Sequence, residues 1–167
     1  KEAELKKLNE KRIIAIINPD PDDIEFTDVD GTMKRISKKQ TKHNTVSLTQ
    51  VLEKGIWSLE AEFQNSQQGF TGVGGIEEIF FNKITNTAGN VQFTDNYVVR
   101  LEYDSFQGTL IFFVDGKQQP VYISGIKEKV RFIVYMYCAG QSCLIRSLNK
   151  LEAPTSGHVA NEQAVQC

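Results

Sequence analysis

The sequence predicts an all-β fold, an antiparallel two-sheet β-sandwich with a short N-terminal helix, on three observations. From Tyr97 to Asp104, Tyr97, Val99, Leu101 and Tyr103 alternate with Val98, Arg100, Glu102 and Asp104, the period of two that sets one strand face in a core. Trp57, Leu59, Ala61 and Phe63 alternate in the same way with Ser58, Glu60 and Glu62. Turn-forming residues recur about every eight to twelve positions, the punctuation of a sandwich or barrel.

The elements follow in order. Lys1 to Arg12 (KEAELKKLNEKR) are charged helix formers with Leu5 and Leu8 three apart, which predicts a helical linker or coiled-coil end over residues 1–17. NPDPDD (Asn18 to Asp23) stops that helix with two prolines and opens a turn, so the sandwich is expected over 18–152. Strands are expected at Ile24 to Phe26, Val46 to Leu48, Ile56 to Phe63, Phe70 to Val73 and Val91 to Phe93. A hairpin is expected next, with strands at Tyr97 to Asp104 and Leu110 to Val114 around a Ser105 to Gly108 turn. The second of these is apolar on both faces, as a strand enclosed in a core would be. Further strands are expected at Val121 to Ile123, Val130 to Cys138 and Cys143 to Leu148, separated by Asp115-Gly116, Ser124-Gly125 and Ala139 to Ser142. Leu48 to Lys54 has room for one helical turn. Residues 153–167 lose all periodicity and predict a mobile tail.

A chain of 167 residues suffices for one domain with a core of its own. A net charge of −2 argues against nucleic acid as a partner, because phosphate binding needs a concentrated positive field. No apolar run is long enough to span a bilayer, no signal peptide is visible and no Asn-x-Ser/Thr sequon occurs, so no membrane partner and an intracellular, cytoplasmic setting are expected. The start at Lys1 leaves room for targeting signals elsewhere. Cys138, Cys143 and Cys167 are odd in number and read as reduced thiols.

The motifs Gly55-Ile56-Trp57-Ser58-Leu59-Glu60, Gly69-Phe70-Thr71-Gly72-Val73-Gly74 and Arg100-Leu101-Glu102-Tyr103-Asp104, followed by Gly108-Thr109-Leu110-Ile111-Phe112-Phe113-Val114-Asp115-Gly116, stand in the order and spacing of the SPRY (B30.2-like) domain. The chain resembles that family over roughly Ile24 to Leu151. The resemblance implies a bent, concanavalin A-like sandwich of two antiparallel sheets and a non-enzymatic role in recognising short protein segments. Family members carry a longer, aromatic-rich segment after the Gly-Val-Gly strand, where this chain has only Gly75 to Asn90. Some members that bind Asn-rich peptides carry a tryptophan where this chain has Ala139-Gly140-Gln141, so that preference is not implied.

By resemblance, the recognising loops are Lys34 to His43, Gly75 to Asn90 and Ala139 to Ser142. Within them Arg35, Lys39, Gln40, Asn82 and Gln141 are candidate donors to an extended peptide, with Phe80 and Phe81 as an apolar anchor. The basic run Lys34 to His43 reads as a solvated strand and loop, with steering of an acidic peptide or nuclear import as the functional alternatives. Trp57 reads as core. The glycines 69, 72, 74 and 75 read as a close-packed strand, since a phosphate loop needs a following helix.

Two other functions stay open. Asp28-Val29-Asp30-Gly31-Thr32 resembles the nucleophile motif of haloacid-dehalogenase-like Mg-dependent phosphatases, with Ser124 and Lys127 in place of later motifs. That chemistry also needs a downstream acidic pair and a parallel sheet flanked by helices, neither of which the sequence offers, whereas a polar turn between strands explains the same letters. An EF-hand loop fails on its acid spacing. His43 and His158 read as a loop and a tail residue, so a nucleophile–histidine pair is not expected. The other function is a structural appendage of a larger chain, self-associating through the N-terminal helix. The expectation is a protein or peptide partner, no catalytic residues, no metal and no cofactor.

Overall fold

The computed structural model describes residues 14–66, 71–75, 89–91, 93 and 95–167. Among these the regular structure is all strand: β1 (Ile16–Ile17), β2 (Ile24–Val29), β3 (Met33–Lys38), β4 (Asn44–Leu48), β5 (Ile56–Gln64), β6 (Thr71–Gly75), β7 (Val98–Asp104), β8 (Thr109–Val114), β9 (Lys117–Gln118), β10 (Val121–Ser124), β11 (Phe132–Met136), β12 (Ser142–Leu151) and β13 (Gln163–Gln166). They build two sheets. The smaller has the order β1-β4-β11-β6, and the larger β13-β10-β8-β7-β5-β12-β3-β2, with β9 beside β8.

Alternation explains how the sheets pack. Trp57, Leu59, Ala61 and Phe63 of β5 enter the same buried cluster as Val99, Leu101 and Tyr103 of β7 and Phe132, Val134 and Met136 of β11. Side chains at even spacing on two facing sheets thus fill one layer between them. Trp57 lies in that layer, and its indole N–H donates to the Glu53 carbonyl at 2.8 Å.

The β7–β8 hairpin has the expected form, running in register from Val99↔Val114 to Asp104↔Thr109. Its turn is closed by the Gly108 N–H on the Asp104 carbonyl at 2.8 Å, while the Asp104 side chain accepts the N–H groups of Phe106 and Gln107. Gly108 has φ +65°, and a Cβ there would sit 2.5 Å from the Ile126 carbonyl oxygen. Gly108→Ala is therefore expected to cost at least about 2 kcal/mol, because left-handed strain of about 1–2 kcal/mol adds to a clash with fixed backbone. Urea unfolding measures it; a loss under 0.5 kcal/mol would show that the turn relaxes freely.

The structure departs from the sequence reading at several elements. Met33–Lys38 is a full strand, paired with β2 and β12, so the strand part of the expected strand and loop reaches Lys38, and the loop that the resemblance implied from Lys34 begins only after it. Ile36 enters the core there, and the surrounding charge hid its period. Ile16–Ile17, assigned to the N-terminal helix, instead pairs with Ser47 and Leu48 of β4, so the sandwich begins before residue 18. Residues 1–13, the rest of that helix, lie outside the described residues. The stretch around Leu52 forms an isolated bridge to Val130 rather than a helical turn. Tyr97 precedes β7 and is exposed, and Val91 is exposed outside any strand.

The largest correction concerns the C-terminus. Instead of a free tail, Thr155 and Ser156 lie against Glu102, and β13 adds to the large sheet parallel to β10, from Val121↔Gln163 to Ser124↔Gln166. The sheet is accordingly mixed. The segment is held by polar contacts rather than by an apolar stripe, which is why its sequence shows no period.

Candidate functional site

Strand register gathers several turns at one rim of the sandwich. Ile24 pairs with Lys38, Ser142 with Ser37 and Gln64, Met136 with Asn44 and Thr71, and Glu62 with Val98. The 39–43 and 137–141 turns and the residues around Asn65 and Asp95 therefore share one end. Their backbones are bonded to each other: Lys38 N–H donates to the Gln141 carbonyl at 2.9 Å, Gly140 N–H to the Lys38 carbonyl at 2.9 Å, and Lys42 N–H to the Tyr137 carbonyl at 3.0 Å. Ala139 N–H donates to the Thr41 hydroxyl at 3.1 Å, and the Asn65 amide to the Gly140 carbonyl at 3.0 Å.

Beneath this rim lies a buried charge cluster. The Lys38 ammonium and the Asp23 carboxylate form an ion pair with both side chains fully enclosed. Asp23 also accepts the Gln40 N–H at 2.7 Å and the Asn44 amide at 2.5 Å, and the Lys38 ammonium donates to the Lys42 carbonyl at 2.7 Å. Lys42 pairs with Asp20 at 2.5 Å. Burial alone would raise the Asp23 carboxyl, but the hydrogen bonds from Lys38, Asn44 and Gln40 and the Lys38 charge outweigh it and hold it below its ordinary value. On the far side of the rim, Asp95 is lowered by the hydroxyl and N–H of Ser66 and the N–H of Asn65. The NPDPDD stretch, legible in sequence only as a turn, thus supplies the anchor of the rim.

On the outer face of the small sheet, beside these turns, His43 stands 4.5 Å from the ring of Tyr137 and 5.8 Å from that of Tyr135, centroid to centroid. Its Nδ1 is hydrogen-bonded to the Tyr135 hydroxyl. Burial pushes the Tyr135 phenol above its ordinary value, so it remains a neutral hydroxyl. Tyr135 is opposite Thr45 and Gly72, out of phase with the inward Val134 and Met136. Sequence reasoning passed over this trio. The available signal was the Tyr135, Tyr137 alternation on the wet phase of a strand that is otherwise apolar.

The candidate residues do not all meet. Lys39 and Gln40 are exposed on the rim. Arg35 is exposed within β3, opposite Thr27 and Leu144 and out of phase with the inward Ile36. It is four strand residues, about 13 Å, from Lys39. Gln141 corrects the sequence reading: it is 1 % exposed, and its side-chain oxygen accepts the N–H groups of Tyr137 at 3.0 Å and Cys138 at 2.8 Å. Its oxygen closes the turn, while its amide nitrogen is buried without a hydrogen-bond partner among the described residues. Phe80, Phe81 and Asn82 lie outside the described residues.

The chemical motifs are placed differently. Asp28 lies one residue before the end of β2 and pairs with Lys34 across the hairpin, while Asp30 and Gly31, with φ of 53° and 69°, make the turn. Ser124 accepts the Gln166 amide at 2.8 Å. Burial pushes the Cys143 thiol far up, so it stays protonated. Among the described residues no three His, Cys, Asp or Glu side chains converge as a metal would require.

No protein-family model matches the chain, and no curated protein matches it in sequence. Solved structures do. The TRIM65 PSpry domain is similar at TM-score 0.55 and 9% identity, over 87% of this chain and 99% of that one. The SPRY domain of human HERC1 is similar at TM-score 0.56 and 11% identity, over 81% and 99%. A sialidase is similar at TM-score 0.50 and 10% identity, over 77% of this chain and 16% of its own. At such low identity the likeness speaks for architecture, and the architecture of this chain is an SPRY-like β-sandwich.

Proposed function

We propose that the chain is a non-catalytic protein-interaction module that takes a short, extended peptide segment of a partner across the rim formed by the 39–43 and 137–141 turns. One observation carries this reading. Two turns 98 residues apart in sequence are bonded to each other and anchored on a buried ion pair, with Lys39, Gln40 and His43 exposed and Tyr135 and Tyr137 half-buried beside them. A surface fixed in this way loses little freedom on binding, and half-buried aromatic rings at its margin supply the kind of anchor that dominates peptide affinity. Lys39 favours a segment with an acidic residue. Phe80 and Phe81 complete the reading as an apolar anchor, Asn82 as a hydrogen-bond donor, and Arg35 as a separate contact on the neighbouring face. The setting we infer is intracellular, where the three free thiols persist.

The test is a random-peptide display selection on the full chain. Lys39→Ala and His43→Ala are each expected to weaken a selected peptide about tenfold, roughly 1.4 kcal/mol, without moving Tm, since both residues are exposed. Peptides that bind both variants as tightly as the parent chain would place recognition elsewhere.

A further inference from the structure

The outer face of the large sheet carries a second, already occupied peptide surface. Glu102 faces away from the core cluster, opposite Ser58 and Ile111, yet is only 1 % exposed. Its carboxylate accepts the N–H of Thr155 at 3.1 and 3.2 Å, the N–H of Ser156 at 3.2 Å and the Thr155 hydroxyl, and it pairs with Arg100 at 3.2 Å. Arg100 in turn lies 3.7 Å over the Phe113 ring. Next along the segment, Gly157 exchanges two hydrogen bonds with the Gln118 amide, at 2.6 and 2.9 Å. Residues 163–166 then form the strand beside β10, bracketed by Gln163 N–H on the Pro120 carbonyl and Cys167 N–H on the Ser124 carbonyl.

This is how a sheet receives an extended peptide: a carboxylate for two successive N–H groups and a hydroxyl, an amide that pairs with backbone, and an edge that accepts a strand. The occupant contributes little else. Most of residues 152–167 are exposed, with only Ser156, Val159 and Val165 half-buried, and the connection from β12 through Glu152, Ala153 and Pro154 is exposed throughout. A segment docked by polar contacts at the end of an exposed connection is separable from the sandwich in a way that no core strand is.

The geometry points to an exchange surface: Glu102, Gln118 and the edge of β10 accept residues 155–166 either from the same chain or from a second copy. Every copy carries both the surface and its ligand, so the match is self-complementary and closes as a two-fold pair. In one chain the tether keeps its own segment at an effective concentration of order millimolar, which makes the self-docked form dominant at low concentration.

A labelled synthetic peptide of residues 155–167 serves as the probe, with fluorescence anisotropy on the full chain. Thr155→Glu sets a second carboxylate against Glu102 and leaves the surface itself intact. That variant is expected to bind the peptide at least tenfold more tightly than the parent chain, whose surface is filled, and its C-terminus is expected to become open to limited proteolysis. Adding Gln118→Ala or Glu102→Ala should reduce the gain at least fivefold, and Lys39→Ala should leave it unchanged. The assignment is overturned if Thr155→Glu frees the segment but takes up no peptide, or if the segment stays protected. Equal losses from Lys39→Ala and Gln118→Ala would move the peptide to the rim and overturn it too.

Discussion

Asp23→Ala is expected to cost about 3–5 kcal/mol of stability and to abolish peptide capture at the rim. The figure follows from what remains: the Lys38 ammonium, with a fully enclosed side chain, keeps among the described residues only the Lys42 carbonyl as partner, and an uncompensated buried charge has this order of cost. The N–H of Gln40 and the amide of Asn44 lose an acceptor at the same time. Asp23→Leu combined with Lys38→Met removes both charges, and should recover part of the loss but not all of it, because the Gln40 N–H stays unpaired. Acid should have a related effect. The Asp23 carboxyl lies below its ordinary value when folded, so its contribution is complete above about pH 5 and is lost as pH falls through the folded value. Urea unfolding between pH 7 and pH 3 checks the sign: the parent chain should lose more stability over that interval than the double variant. Equal slopes would mean that the pair is not linked to folding.

The difference between legible and illegible parts of this chain follows from what each part is held by. β5, β7 and β12 bury one face in a shared layer, so their apolar residues had to alternate, and the sequence shows it; β8 reads instead as a continuous apolar run. β3 buries Ile36 and Lys38 as well, but a lysine neutralised by Asp23 reads as solvent-facing until its partner, fifteen residues away, is placed beside it. The same reason hid the C-terminal segment. Backbone N–H groups on a carboxylate leave no trace in hydrophobic period, and Glu102 itself fell on the wet phase of β7, where an exposed acid is the ordinary reading. At the rim, Lys39 and Gln40 are exposed. Gln141 is buried, because the turn uses its side-chain oxygen to satisfy Tyr137 and Cys138. His43, Tyr135 and Tyr137 come together only through the pairing of β4 with β11, a contact between residues about ninety positions apart.

Trp57→Ala is expected to be as costly as the Asp23 change, about 3–5 kcal/mol, but by a different route and with a different functional outcome. The ring is 2 % exposed within the layer shared by both sheets, and its removal leaves a cavity among β-strands that pair on both sides of β5 and cannot close in on it. The indole hydrogen bond is a minor part, since Glu53 is exposed and its carbonyl can turn to water. Trp57→Phe, which keeps an aromatic ring and loses the N–H, should therefore cost markedly less than alanine. Because Trp57 is the sole tryptophan, unfolding of both variants has to be followed by far-ultraviolet circular dichroism rather than intrinsic tryptophan fluorescence. The midpoint should fall while the denaturant slope is unchanged, as for loss of packing in an otherwise intact native state. Trp57 pairs with Lys150 and Tyr103, seven strand positions along β5 from Gln64 at the rim, so Trp57→Ala should bind a rim peptide with the parent affinity per folded molecule wherever enough of it is folded. Asp23→Ala should not, even when stabilised by osmolyte. Loss of affinity in both would mean that the rim takes its shape from the core as a whole rather than from the ion pair beneath it.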